Sequence, residues 1–246
     1  SNYNGTQVSC NGASDGTAIA TGTGGTSAYS YTWNTAPIQN TNTATGLAAG
    51  TYTVTVSDAN GCTLSQSITV TEPAAVSLST AVTSNYNGAE VSCNGASDGS
   101  AIATPSGGNP TFSYNWSTAP IQTTQSATGL AAGVYSVTAT DLNGCNQIQS
   151  ITLTEPSAIT LTAAVTSNYN GVQISCNGAS DGAGLATANG GTGTLAYAWS
   201  TAPSQSTATA TGLAAGVYSV TTTDLNGCNS IESITLTEPS AITATT

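Results

Sequence analysis

The sequence predicts an all-β protein made of three tandem immunoglobulin-like β-sandwich domains in an extended array. Two observations predict it: an internal repeat of 83 residues, and short stretches of alternating apolar and hydroxyl side chains separated by turn residues. The period is visible in the cysteines at 10, 93 and 176, in those at 62, 145 and 228, and in the tryptophans at 33, 116 and 199. Because the spacing is the same throughout, one strand assignment serves all three copies.

The period also sets the predicted domain boundaries. The first domain covers 1–73 and lacks its first strand, the second covers 74–156, the third covers 157–239, and residues 240–246 begin the next repeat. Each copy closes on a Glu-Pro pair, at 72–73, 155–156 and 238–239. Since proline fixes φ and restricts the residue before it, we expect short, extended joints and domains that stand in line.

Strand signals in each copy are runs of Val, Ile, Thr and Tyr bounded by Gly, Asn and Asp. In the first copy they place strands at Gln7–Cys10, Thr17–Thr21, Tyr29–Trp33, Thr43–Leu47, Thr51–Ser57 and Ser67–Thr71, and a further strand at Ala75–Val82 opens the second copy. Successive side chains of a strand point to opposite faces, so Tyr31 and Trp33 share one face and Tyr52 and Val54 share another. We expect these faces to form the core between two sheets, with Thr-rich faces in water and no helix.

The recurrent aromatic residues are the predicted core. They are Tyr31, Trp33, Tyr52, Tyr114, Trp116, Tyr135, Tyr197, Trp199 and Tyr218. An alternative is that the tryptophans and their tyrosine neighbours form an exposed platform for sugar rings, which would make surface polysaccharide a partner. Their alternation with Ser and Thr favours the core.

Composition excludes several classes of partner. The chain has no Lys, Arg or His and eleven acidic residues, which gives a net charge of -11. Nucleic acid is excluded, since phosphate binding depends on cationic side chains, and so are anionic membrane surfaces. Membrane insertion is excluded because no apolar run approaches the roughly 20 residues that span a bilayer.

Five strings in the first copy carry a resemblance to a known family. They are VSCNGASDG at 8–16, YTW at 31–33, GLAAGTYTVTV at 46–56, DANGC at 58–62 and TEP at 71–73, and close variants follow at the same spacing in the other copies. The chain resembles the SprB repeat of the long surface adhesins of gliding Bacteroidetes. The resemblance implies an extracellular, cell-surface protein of the gliding-motility apparatus, anchored to the outer membrane through regions outside this segment.

A looser likeness links the chain to other immunoglobulin-like modules, through the Leu-Ala-Ala-Gly segment and the Tyr that follows it. In such modules a Tyr hydroxyl commonly bonds to an upstream backbone group and fixes the corner between the sheets. This likeness implies the same role for Tyr52, Tyr135 and Tyr218.

The six cysteines, an even number in a chain without His, predict disulfide bonds formed in an oxidising compartment. We expect them to pair within each copy, as Cys10–Cys62, Cys93–Cys145 and Cys176–Cys228. Six buried free thiols are the alternative. Within-copy pairs would tie strand ends together, unlike the immunoglobulin disulfide, which crosses the middle of the core.

Recurrent acidic residues in the turns are candidate calcium ligands. They are Asp15, Asp58, Asp98, Asp141, Asp181 and Asp224. Calcium favours such oxygen ligands, but two or three carboxylates per domain are few, and Asx turns explain the same residues. The third acid, at 72, 155 and 238, is predicted to cap the joint. Calcium apart, no cofactor is expected.

The predicted function is structural. Without His or Lys the chain has no ordinary general base, Ser-His pair or Schiff-base amine, so we expect no catalytic residues and no enzyme activity. The sequence predicts a stalk that holds an adhesive element away from the cell surface, with adjacent repeats as its main partners. Two alternatives are an array of weak carbohydrate-binding repeats and a self-assembling fibre in which edge strands pair between chains.

Overall fold

The computed structural model describes residues 1–245, which form seventeen β-strands and no helix. The strands of the first copy are β1 (Gly16–Ile19), β2 (Ser30–Trp33), β3 (Thr43–Leu47), β4 (Gly50–Ser57) and β5 (Thr63–Val70). Those of the second copy are β6 (Ser77–Val82), β7 (Gly99–Ser106), β8 (Ser113–Trp116), β9 (Ser126–Leu130), β10 (Gly133–Thr140) and β11 (Asn146–Leu153). The third copy has β12 (Thr160–Val165), β13 (Gly182–Asn189), β14 (Ala196–Trp199), β15 (Thr209–Leu213), β16 (Gly216–Thr223) and β17 (Asn229–Leu236). Within the described range, no helix that could span a bilayer is found.

Strand order gives the fold. Each period supplies two antiparallel sheets: β12-β13-β15 and β14-β16-β17 in the third copy, β6-β7-β9 and β11-β10-β8 in the second, and β1-β3 and β2-β4-β5 in the first. In immunoglobulin lettering these are an A-B-E sheet and a C-F-G sheet, the constant-type arrangement with strand D left out. The prediction of an all-β, immunoglobulin-like fold is confirmed.

Contacts divide the chain into two compact units. One contains Ser1–Ala81, Ile102–Ala127 and Tyr135–Ile151, and the other contains Val82–Ala101, Thr128–Val134 and Thr152–Thr246. The domain boundaries drawn from the period remain predictions.

The core of the first copy follows the predicted alternation. Strand β2 pairs with β4 so that Trp33 lies opposite Val54 and Tyr31 lies opposite Val56. Trp33 is buried, in a cluster with Val8, Ala18, Ala44, Leu47, Val54 and Val70. Because every second residue of these strands is apolar, one face of each sheet enters the core.

The third copy repeats this core and adds a strand. Trp199 is buried among Ile174, Ala186, Ala210, Leu213, Val220, Ile234 and Leu236, and the first strand of the copy, β12, contributes Leu161. Strand β12 pairs with β13 over six residue pairs, from Thr160–Asn189 to Val165–Gly184. The first copy has no such strand within the described range.

The outer face of β4 and β5 carries hydroxyl pairs. Thr53 and Ser67 lie with their oxygens 2.9 Å apart, as do Thr55 and Ser65, and Thr51 and Thr69 lie 3.4 Å apart. These cross-strand pairs satisfy the hydroxyl groups on a face that is in water.

One predicted strand is wrong. Residues Gln7–Cys10 form bends, and the backbone N–H groups of Gln7 and Val8 both donate to the carbonyl of Thr71, at 3.1 and 3.2 Å. In a β-sheet, successive N–H groups do not share one carbonyl acceptor, so these two bonds do not belong to a β-ladder. The segment therefore lies beside the end of β5 without extending its sheet.

Candidate functional site

Each joint between consecutive copies is formed by two loops, the N-loop of one copy and the hairpin turn of the next. The hairpin turn joins the last two strands of a copy and contains its second cysteine, at 58–62, 141–145 and 224–228. The N-loop contains the first cysteine, at 2–15, 85–98 and 168–181.

An aspartate shapes every hairpin turn. In the first copy, Asp58 Oδ1 accepts the N–H groups of Asn60 at 3.0 Å and Cys62 at 2.8 Å, and Oδ2 accepts Thr26 N–H at 3.0 Å. These bonds, that of Thr26 first, lower the pKa of the Asp58 carboxyl. Asp141 and Asp224 hold the other turns in the same way, at 2.8 to 2.9 Å.

A second aspartate shapes the N-loop. Asp98 Oδ1 accepts Ser92 N–H at 3.0 Å, and the Ser92 side chain and backbone lower the pKa of the Asp98 carboxyl. The Tyr86 hydroxyl donates to the Asp98 carbonyl at 2.9 Å, and desolvation, followed by the charge of Asp98, raises the pKa of Tyr86. Hydrogen bonds from Ser9 and Ser175 likewise lower the pKa of Asp15 and Asp181.

The glutamate that ends each copy caps the N-loop of the same copy. Glu72 Oε2 accepts Gly12 N–H at 2.6 Å, and Glu155 and Glu238 make the same bond to Gly95 and Gly178, at 2.6 and 2.7 Å. The last residues of a copy are thereby fastened to the loop that carries its first cysteine.

The disulfide bonds join consecutive copies. Cys10 is bonded to Cys145 and Cys93 to Cys228, each with a Cα–Cα distance of 5.7 Å and a sequence separation of 135. Cys62 and Cys176 are free and exposed. Each bond links the N-loop of one copy to the hairpin turn of the next.

The predicted pairs Cys10–Cys62, Cys93–Cys145 and Cys176–Cys228 are therefore wrong. In the first copy, Val8 and Gly12, on either side of Cys10, bond to Thr71 and Glu72, which follow the Gly50–Val70 end of the β4–β5 pair. Cys62 lies beyond the other end of this pair, at Ser57–Thr63. Eight paired residues separate these ends by about 24 Å, at about 3.4 Å per residue. A disulfide bond needs Cα atoms within about 7 Å.

An asparagine of the hairpin turn adds hydrogen bonds across each joint. The Asn143 amide donates to the Ser9 carbonyl at 3.0 Å. The Asn226 amide donates to the carbonyls of Ser92 at 2.9 Å and Tyr86 at 3.2 Å. In the sequence these asparagines stand out only because one recurs in every copy, two residues before the second cysteine, and this pattern does not predict a bond across the joint.

The linker also contacts the copy that it enters. Gly108 N–H donates to the Ala74 carbonyl at 2.9 Å, and Gly191 N–H donates to the Ser157 carbonyl at 2.9 Å. Gly107 has φ +73°, and a Cβ atom there would lie 2.0 Å from the Ala75 carbonyl oxygen. Only glycine allows this approach of linker and loop.

The aspartates do not form a calcium cage. The turn aspartates 58, 141 and 224 accept backbone N–H groups with both carboxylate oxygens. The N-loop aspartates 15, 98 and 181 each accept a serine N–H. Within residues 1–245, no group of three or more acidic, His or Cys side chains is placed to hold a metal. Calcium takes six to eight oxygen ligands, so this donor set does not fit it.

The tryptophans are buried in the hydrophobic core, and the core tyrosines are half-buried. Trp33, Trp116 and Trp199 are at most 2% exposed, and their indole N–H groups donate to the carbonyls of Thr41, Thr124 and Thr207 at 2.9 to 3.0 Å. These rings are thus not an exposed stacking platform. The six predicted core tyrosines are half-buried. Tyr52 donates to the Ala48 carbonyl at 3.1 Å and Tyr218 to the Ala214 carbonyl at 3.3 Å, closing the turn between two strands.

The SprB repeat family model matches residues 2–37 and 85–120. Two segments of this chain are therefore similar to the SprB repeat. Each match begins in the N-loop, so Cys10 and Cys93 lie inside the two matched segments. Residues 168–203 occupy the same place in the third copy.

Solved structures show distant similarity. The chain is 12% identical to the N-terminal eight Ig domains of DSCAM isoform 1.30.30, over 86% of this chain and 33% of that one, with a TM-score of 0.38; it thus spans about a third of that structure. Extracellular domains 3–5 of Drosophila OTK give 12% identity, coverage of 86% of both chains and a TM-score of 0.33. A tetra-tandem repeat from the extending region of a large adhesion protein gives 15% identity, coverage of 94% and 72%, and a TM-score of 0.25. Among curated proteins, none matches the chain. The strand order, not these similarities, establishes the fold.

Proposed function

We propose that this chain is a stalk segment that carries tension in a long extracellular adhesin filament, in which disulfide bonds join each SprB repeat to the next. The observation that carries the proposal is that both bonds join consecutive copies, Cys10 to Cys145 and Cys93 to Cys228. The filament holds an adhesive element away from the cell surface and is anchored to the outer membrane through regions outside this segment. Its role is structural and not enzymatic.

The bonds shorten the covalent path that carries tension. Force that enters at Ser1 crosses from Cys10 to Cys145, returns along the chain to Cys93 and crosses to Cys228. This path contains about 80 residues and extends to roughly 280 Å, against roughly 850 Å for the unbonded chain. In a filament with these bonds, the maximal extension stays short even when the sheets unfold, because the disulfide bonds remain intact.

The chemistry of the chain suits an extracellular role. Disulfide bonds persist in oxidising compartments and are rare in the reducing cytosol. The chain offers no Lys or Arg, so trypsin-like proteases have no cleavage site in it. The proposal of a role in gliding motility rests only on the similarity to the SprB repeat family.

Single-molecule force extension of the chain, tethered at its two ends, tests the proposal. We expect a maximal extension of roughly 280 Å without reductant and roughly 850 Å with it. Loss of one bond, by Cys145→Ser or Cys228→Ser, should lengthen the path to about 110 residues, or roughly 385 Å.

Cys62→Ser is the matched control, because Cys62 occupies the same position in its hairpin turn but is free. This variant should extend like the parent chain. If the parent chain reaches the same maximal extension with and without reductant, the proposal of a stalk with disulfide bonds between copies is wrong.

A further inference from the structure

The sequence contains ten Asn-Gly pairs, the dipeptide most prone to spontaneous deamidation. They begin at residues 4, 11, 60, 87, 94, 143, 170, 177, 189 and 226. In this reaction the backbone nitrogen of the glycine attacks the side-chain amide of the asparagine, and glycine has no side chain to hinder the attack. The nitrogen must lose its proton and approach the amide carbon. A hydrogen bond donated by the glycine N–H therefore opposes deamidation.

Nine of the ten glycine N–H groups donate such a bond, always within their own copy. The glycines at 5, 88 and 171 donate to an asparagine side chain three residues earlier, at 2.8 to 2.9 Å. Those at 61, 144 and 227 donate to the backbone carbonyl of the turn aspartate, at 3.0 to 3.1 Å. Those at 12, 95 and 178 donate to the glutamate that ends the copy, at 2.6 to 2.7 Å.

The glutamate of the second copy holds both reacting groups of its Asn-Gly pair. Gly95 N–H donates to Glu155 Oε2 at 2.6 Å, and the Asn94 side-chain amide donates to Glu155 Oε1 at 2.9 Å. Loss of the Gly95 proton would place a negative charge beside a carboxylate, which disfavours it. Glu238 makes the same two bonds in the third copy, at 2.7 and 2.8 Å.

The tenth pair, Asn189 and Gly190, differs from the others. Within residues 1–245, no hydrogen-bond acceptor is found for the Gly190 N–H. The Asn189 side chain is exposed. Asn189 pairs with Thr160 at the end of the β12–β13 ladder, where local opening costs least. The attacking nitrogen and the amide are thus both less restrained here than in the other nine pairs.

We propose that Asn189 is the residue of this protein that deamidates first, and that the hydrogen bonds of the other nine glycine N–H groups protect the asparagines before them. The Gly190 nitrogen loses its proton and bonds to Asn189 Cγ, and the side-chain nitrogen leaves as ammonia. Water then opens the resulting succinimide at either carbonyl and gives aspartate or isoaspartate. One amide and one water become one carboxylate and one ammonium ion, with no oxidation or reduction.

Isoaspartate at this position would change the contacts of the linker. Gly191 N–H donates to the Ser157 carbonyl at 2.9 Å, and the Thr160 hydroxyl donates to the Asn189 carbonyl at 3.3 Å. Isoaspartate adds one carbon to the backbone between Asn189 and Gly190, so these two contacts cannot both keep their present geometry. The inference goes beyond the stalk role, since it holds whether or not the chain carries tension.

The test is incubation of the folded chain at mildly alkaline pH, followed by a short chymotrypsin digestion and mass spectrometry. Chymotrypsin cleaves after Leu185 and Leu195, so Asn189 is the only asparagine in its peptide. We expect Asn189 to deamidate at least about fivefold faster than each of the other nine asparagines. In the chain unfolded by urea and reductant, the nine should react as fast as Asn189. The proposal is wrong if any of the nine keeps pace with Asn189 in the folded chain, or if folding does not slow the nine.

Glu155→Gln tests the protection itself. The glutamine is neutral and has one oxygen, so it can accept from only one of the two donors. We expect Asn94 to deamidate at least about fivefold faster than in the parent chain. An intact Cys93–Cys228 bond in a non-reducing peptide map shows that the loop keeps its fold. An unchanged rate at Asn94 would mean that the carboxylate does not protect it, and a lower rate would mean that the carboxylate acts as a base; either result overturns the proposal.

The chain offers two matched controls for this variant. Asn177 lies in the same eight-residue string, SCNGASDG, and its Glu238 is unchanged, so its rate should stay at the parental value. Glu90→Gln changes a glutamate of the same copy that accepts Thr154 N–H and bonds to no Asn-Gly pair. This second variant should leave all ten rates unchanged. A rise at Asn94 in Glu90→Gln equal to that in Glu155→Gln would show that general loosening of the copy, and not the lost bond, exposes the pair.

Discussion

Cys10 and Cys145 are bonded to each other across 135 residues, whereas Cys10 and Cys62 of the same copy lie at opposite ends of the β4–β5 pair. The disulfide bonds therefore fasten the joints and leave the sandwich interiors to hydrophobic packing. Stability of a joint and stability of a core are thus separable by mutation.

Cys145→Ser should destabilise the chain by about 3 to 5 kcal/mol, because a bond that closes a loop of 135 residues removes about 5 kcal/mol of unfolded-state freedom. The measurement is the urea unfolding midpoint without reductant. Cys62→Ser, the matched change at a free thiol, should alter stability by less than about 0.5 kcal/mol. Equal effects of the two changes would contradict the bond assignment.

Alternation predicted the strands and the buried tryptophans because both depend on local pattern. Trp33 and Val54 each point inward as their positions in β2 and β4 require. The cysteine pairing failed because it depends on which strand end a loop reaches. Nothing near Cys10 in the sequence shows that residues Gln7 and Val8 lie beside Thr71, at the far end of the β4–β5 pair from Cys62.

The contacts of the joint asparagines and glycines could not be predicted from the sequence for a related reason. Gly107 and Gly24 occupy the same place in their copies and both have positive φ, so the sequence suggests only a turn at each. The residues that require glycine at Gly107 are Ala74 and Ala75, at the start of the same copy and more than 30 residues earlier in the sequence. A period shows that a residue recurs, but not what lies against it.

Gly107→Ala should lower the free energy of unfolding more than Gly24→Ala does. Both place a side chain at positive φ, which costs about 1 to 2 kcal/mol. At Gly24 nothing lies within 4 Å of the new Cβ atom, whereas at Gly107 the Ala75 carbonyl oxygen lies 2.0 Å away. We expect the urea midpoint to report at least about 2 kcal/mol more destabilisation for Gly107→Ala. Equal costs would show that the linker moves aside freely.

Asn143→Ala should weaken the joint directly. Its amide donates to the Ser9 carbonyl, so its loss should lower the effective concentration of the Cys10 and Cys145 thiols about fivefold, the equivalent of about 1 kcal/mol. The equilibrium constant for reduction of this bond in glutathione buffers measures the effect. Asn60→Ala, whose amide bonds only to exposed Thr26, is the control and should leave that constant unchanged. If Asn143→Ala has the same equilibrium constant for reduction as the parent chain, the hydrogen bond does not stabilise the joint.

Acid should weaken the N-loop of the second copy through Asp98. The Ser92 side chain and backbone lower the pKa of the Asp98 carboxyl, so the ionised form is favoured by folding. The stability it contributes is fully present above the unfolded pKa of about 3.9 and is lost as pH falls through the lower folded value. Asp98→Asn keeps an oxygen acceptor without a titrating proton, so its unfolding midpoint should fall less steeply than that of the parent below about pH 4. Carbon-13 NMR of the Asp98 carboxyl should show titration below the usual Asp range. Titration at or above that range, or parallel acid curves for the two proteins, would mean that the Ser92 bonds do not favour the charged form.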